Sequence, residues 1–198
     1  MPVTPLHYPL AYVISRMRRD LLLPGLIVGS FMPDIEVPFM WFFLTGVLPD
    51  HFILHSLVGA VTLGTLLSVI AVRLFYPVLM SRVFSIDRMA LESRCVISQT
   101  LVISCLVGVL SHLLLDYPMH WYNPILWPWV NPFDVVGPLV AVFSFLGPVE
   151  GLPFLVANLL VSVTMGIAGL IILMRHRGAR LWGSILMDSW QQPVQLRP

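Results

Sequence analysis

At 198 residues, 58% of them hydrophobic and only 11% charged, with a mean hydropathy of +0.88, the chain is too apolar for a soluble domain, which carries about 25% charged residues. The length suits one domain, and a formal net charge of +1 gives no reason to expect a nucleic-acid partner. The composition describes an all-α, polytopic integral membrane protein. Residues 1–180 are expected to form a single transmembrane helical domain and residues 181–198 a polar C-terminal tail.

Residues 1–7 hold no basic stretch, so no cleaved signal peptide is expected. Residues 8–17 are apolar and end among Arg16, Arg18 and Arg19. Residues 21–32 are apolar and end at Pro33-Asp34, where the constraint proline places on its predecessor predicts a helix stop. These two pieces predict a short helical hairpin, and residues 38–48 a short interfacial or half-inserted segment. Three segments have at least the ~20 residues that cross a ~30 Å hydrocarbon core: 52–76, 96–115 and 152–174, the last without a charge. Residues 77–94 read as a polar cap helix and loop. Residues 116–151 form a long connection, rich in proline and aromatic residues and devoid of lysine and arginine. It places Trp121, Tyr122, Trp127 and Trp129 where such rings favour the membrane interface, and its 135–146 portion predicts a further short helix. Cys95 and Cys105 fall in one predicted helix, ~15 Å apart, too far for a mutual disulfide.

All 11 basic residues are arginines, and none lies between Arg94 and Arg175. Threading the hairpin and the three spans in alternate directions puts every arginine on one face, which the positive-inside rule makes cytoplasmic. The opposite, extracytoplasmic face receives His7, Asp34, Glu36, Asp50, His51, His55, His112, Asp116, His120, Asp134 and Glu150. Five of the six histidines and six of the ten acids thus share one side. Ionisable groups at membrane depth are costly and are functional candidates for that reason.

Within that set, His112-Leu113-Leu114-Leu115-Asp116 sets an imidazole and a carboxylate on one helix face. The pair suits zinc or a similar divalent ion, and it equally suits a hydrogen bond within one helix. His51 and His55 share a face at the start of the next apolar segment. His55, a turn inside it, reads as a ligand or as support for one, and His51 as an interfacial histidine. Asp34 alone reads as a helix N-cap, and His7 alone as incidental. Both join the site only if the hairpin brings them to the pair. The chain has no Gly-rich phosphate loop and no Gly-x-Ser-x-Gly elbow.

Taken in order, Thr4-Pro5-Leu6-His7, Gly29-Ser30-Phe31-Met32-Pro33-Asp34, Leu54-His55-Ser56-Leu57 and Ser111-His112-Leu113-Leu114-Leu115-Asp116 form a pattern. It resembles a prokaryotic membrane family of unknown function (domain of unknown function 4184) and the related membrane-bound metal-dependent hydrolases. Asn123-Pro124-Ile125-Leu126-Trp127-Pro128-Trp129 is similar to the Leu-Trp-Pro-aromatic segment of those proteins. A more distant similarity is to zinc-dependent phospholipase C and the single-strand-specific zinc nucleases. The resemblance implies His7, Asp34, His55, His112 and Asp116 as ligands of a divalent metal, zinc or else manganese. Glu150 lacks the histidine four residues earlier that the phospholipase pattern has, which implies one or two metals rather than three. Asp50 stands where the hydrolase relatives have a histidine, with His51 one residue off that register.

The expected function is metal-dependent hydrolysis of a membrane lipid or lipid-linked phosphoester, with Asp50, His51 or His120 as general base or acid. Two alternatives stand beside it: a non-catalytic binding or assembly protein with a structural metal, and an ion or proton transporter.

Overall fold

Backbone in hydrocarbon must satisfy its own hydrogen bonds, so apolar runs of this length form helices. The computed structural model describes residues 4–43, 51–176 and 181–187, and the regular structure among them is all helical. Helix α1 spans Tyr8–Met17, α2 Leu23–Phe31, α3 Glu36–Phe43 and α4 Leu57–Leu74, with a π-turn at Ala60–Gly64. There follow α5 Tyr76–Phe84, α6 Arg88–Arg94, α7 Gln99–Asp116, α8 Pro138–Val142, α9 Leu152–Arg175 and α10 Leu181–Leu186.

Among the described residues four stretches, not three, are long and apolar enough to cross a membrane: Leu23–Phe43, Leu57–Leu74, Gln99–Met119 and Leu152–Arg175. The fourth arises because Pro33 does not stop the helical run. It opens a 3-10 turn, Pro33–Ile35, where its missing N–H costs nothing, and α3 continues from Glu36. At 10 residues, or ~15 Å, α1 is too short to span. The second span starts later than expected. Ser56 caps it, its Oγ accepting from the Gly59 N–H at 3.0 Å, so His51 and His55 lie in the turn that precedes the helix. Cys95 caps α6 and does not share a helix with Cys105; both are buried and free. Residues 135–146 hold α8 and a 3-10 turn. The start of the expected polar tail forms α10, which accepts a hydrogen bond from Tyr8 Oη at the Ile185 carbonyl (2.7 Å).

Parallel helices α2 and α7 form the centre of the bundle. Gly29 and Gly108 let their backbones touch. A Cβ at Gly108 would lie 2.5 Å from the Leu26 carbonyl oxygen and 3.0 Å from Gly29 Cα. The Leu22 N–H donates to Ser104 Oγ (2.8 Å) near the start of the pair, and His112 meets Ser30 near its end. With 18 residues, α7 is ~27 Å long, which separates two ends of the bundle. At one, Leu23, Val72, Tyr76, Leu91 and Leu101 form a core beneath the arginine-bearing segments. At the other, Met32, Ala60, Val109 and Leu113 form a second core below the histidines.

Candidate metal centre

His112, fully buried in the last turn of α7, is the hub. Its Nδ1–H donates to the Ser30 carbonyl at 2.7 Å. A carbonyl only accepts, so this bond fixes the proton on Nδ1 and turns Nε2 inward. His55 is set the same way: Nδ1–H donates to Glu36 Oε1 at 2.7 Å. The two inward Nε2 atoms lie 3.1 Å apart. Asp116 Oδ2 lies 3.2 Å from His112 Nε2 and 3.7 Å from His55 Nε2, and Asp34 Oδ1 lies at 3.5 and 3.9 Å from the same two atoms. One ligand atom from each of Asp34, His55, His112 and Asp116 thus falls within 4.8 Å of the others. Imidazoles oriented by a carboxylate or carbonyl on the far nitrogen are the usual form of metal-ligating histidine.

His7 completes the group. Placed by the 3-10 turn Thr4–His7, its ring stacks on His112 at 3.9 Å and 17°, with Nε2 3.5 Å from Asp116 Oδ1. Neither ring nitrogen of His7 makes a hydrogen bond, and neither does Asp34 Oδ2 or Asp116 Oδ1, although all four atoms are buried. Roughly 90% of buried polar groups have a partner. A bound cation would satisfy one nitrogen of His7 and the carboxylate oxygens of Asp34 and Asp116, so the donor set fits a divalent ion.

Burial, together with the neighbouring His112, pushes the His7 pKa down to about 3 and leaves it a neutral donor. Burial alone would depress His55 too, but the Asp116 and Glu36 carboxylates outweigh it and hold this imidazole up to about 9. The other two histidines adjoin the cluster. His51 packs 4.3 Å from the His55 ring and 5.3 Å from His120. His120 donates from Nδ1 to the Asp116 carbonyl at 2.9 Å, leaving Nε2 as an unpartnered acceptor. Burial lowers the pKa of both, that of His51 strongly. They border, with His55, Asp116 and Asn123, a cavity of about 10 Å³. Asp50 lies outside the described residues, and Asp134 and Glu150 are exposed.

Two contributors escape a reading of the sequence. Glu36 takes three N–H groups: Phe52 N–H and His55 Nδ1–H on Oε1, and Leu54 N–H on Oε2, each at 2.7 Å. Its signal was a carboxylate opening an otherwise apolar helix. Asn158, in the uncharged last span, donates to the Met119 carbonyl at 2.9 Å and ties α9 to the segment after Asp116.

No curated protein and no solved structure matches the chain. The family that does match bears out the expected prokaryotic membrane family at that level, and the match begins at His7 and encloses every residue of the cluster. Over residues 7–186 the chain matches the YdjM inner membrane protein family and belongs to it, which makes it a helical protein of the cytoplasmic membrane.

Proposed function

We propose that this protein is a membrane-bound metal-dependent hydrolase that acts on a lipid or lipid-linked phosphoester at the extracytoplasmic face. The observation that carries the reading is the convergence of His7, Asp34, His55, His112 and Asp116, with four buried N and O atoms left without hydrogen-bond partners. The His and carboxylate donors suit zinc, with manganese as the second choice. A divalent ion bound there supplies Lewis acidity toward a phosphoryl oxygen and lowers the pKa of a water ligand. His55 and His112 are held for this role by Glu36 and the Ser30 carbonyl. His120, neutral and with Nε2 open toward the small cavity, is placed to accept a proton there, and His51 borders the same space. The aromatic segment around Trp121 and Trp129 lies beside the site and suits the interfacial part of an amphiphile. Segregation of the described arginines to the other end of the bundle supports an outward-facing site.

The deciding experiment compares metal content by inductively coupled plasma mass spectrometry in detergent-purified wild type, His112→Ala and Asp116→Ala. One or two zinc or manganese ions per chain, lost in both variants, with phosphoester hydrolysis lost in parallel, supports the proposal. Failure of the wild type to retain any divalent ion after reconstitution overturns it. A second reading, a structural metal without turnover, is favoured by the cavity size. About 10 Å³ admits one water or ion and no substrate, and closed coordination marks structural sites. That reading expects metal and thermal stabilisation with no hydrolysis of any phosphoester.

A further inference from the structure

Between α1, α2, α5, α9 and α10 the bundle leaves a groove of about 510 Å³. None of the described residues lining it is charged. The hydroxyls of Tyr8 and Tyr76, on its wall, turn to α10 and donate to the Ile185 and Leu186 carbonyls, each at 2.7 Å. What faces the space is chiefly hydrocarbon, from Leu6, Ile27, Phe31 and Leu170. Along α9 the groove runs from Met165 to Leu173, ~12 Å, and Leu170, 57% exposed, marks its open side. Gly166 and Gly169 open the α9 wall. A Cβ at Gly166 would meet nothing nearer than Leu6 Cδ2 at 4.0 Å, and one at Gly169 nothing nearer than Pro9 Cγ at 3.4 Å. No neighbouring backbone presses on α9 at either position, unlike the contact of Gly29 with Gly108. These two glycines therefore leave space where the other pair brings helices together.

We infer that this groove is a binding site for the hydrocarbon chain of a bilayer phospholipid. Depth, chemistry and width choose the occupant. Two of its walls belong to membrane-spanning stretches, Leu23–Phe43 and Leu152–Arg175, and the solvent at that depth is acyl chain. An apolar cavity stays dry and takes apolar ligands. A volume of about 510 Å³ over a length of ~12 Å averages ~7 Å across, which seats a chain and not a helix of ~10–12 Å. The chain gains no hydrophobic energy on leaving the bilayer, so close packing against the walls is what retains it. The site needs no bound metal and is independent of the hydrolase proposal.

The test is photolabelling of the full chain in liposomes of phosphatidylcholine that carries a diazirine in the middle of one acyl chain, with the labelled residues located by mass spectrometry. Wild type is expected to take up label at Met80, Met165 and Leu170 above the level at Leu155 and Leu159. The latter two are each 61% exposed on α9 and report the surrounding lipid. Gly166→Leu puts a side chain into the groove from α9, and Met80→Trp fills it from α5. Each variant should lose the label at Met165 and Leu170 and keep that at Leu155 and Leu159. The retained label shows that the variant is inserted, so loss at the groove is not a failure to fold. Wild-type label in the groove no higher than at Leu155 and Leu159 overturns the inference, because the space would then hold ordinary boundary lipid or be closed by protein. Groove label that survives both variants overturns it too.

Discussion

Glu36→Gln separates a residue that orients the metal ligands from one that merely fills space. The carboxylate accepts from Phe52 and Leu54 N–H and from His55 Nδ1–H. An amide of the same shape has one acceptor oxygen. Placed at the Oε1 position, it keeps Phe52 and His55 but turns an N–H group toward Leu54. One buried donor left unmet costs about 1–3 kcal/mol, and the two surviving bonds fall from charge-assisted to neutral strength. The expected destabilisation is about 2–4 kcal/mol, a large share of the roughly 5–15 kcal/mol that holds a domain folded. His55 keeps its tautomer but loses the anion that raises the basicity of its Nε2, and loss of such a partner lowers metal affinity by about 10–100-fold. Thermal unfolding in detergent reads the first effect, and titration of the purified metal-free protein with zinc reads the second. Unchanged zinc affinity would refute the orienting role, even if stability fell, because Glu36 would then only anchor the turn before α4.

Other perturbations address the scaffold and the protonation of the site. Gly108→Ala puts a methyl group 2.5 Å from the Leu26 carbonyl oxygen, so α2 and α7 must part; the expected cost is about 1–3 kcal/mol, with a lower melting temperature and weaker metal retention, since His112 sits one turn further along. Asn158→Leu removes the bond to the buried Met119 carbonyl and should cost about 1–3 kcal/mol in a denaturation measurement. Chelation should lower the melting temperature, by the equivalent of about 2.7 kcal/mol where the ion had stood at 100 times its Kd. The pH dependence follows from His55, raised from 6.5 to about 9. A raised folded pKa gives the metal-free protein stability that is complete below the unfolded value and lost as pH climbs through about 9. Proton and metal compete for the same Nε2, so zinc affinity should rise across that window; isothermal titration at several pH values showing a flat affinity would contradict the assignment.

The parts of the site visible in the sequence are those set by local geometry. His112 and Asp116 are one helical turn apart, and any helix that runs from 96 through 116 puts them together. The described arginines lie toward the end of the bundle away from the histidines. His7 and Asp34 depend on a second condition, that α1 and α2 return to the same end. Periodicity does not supply that condition, and the glycine contact between α2 and α7 does. Gly29 and Gly108 are ordinary glycines in the sequence and become decisive only when the two backbones meet. Glu36 is a further step removed. Its role requires Pro33 to bend the chain and continue it, so that the next helix starts beside the turn at 51–56. A proline after a buried serine reads locally as a stop. In the folded chain it redirects α3, and the same bend leaves the Ser30 carbonyl facing His112 and Glu36 facing His55. The two histidines are thus oriented from opposite sides of one turn, which is why Pro33 belongs to the architecture of the metal centre although it offers no ligand.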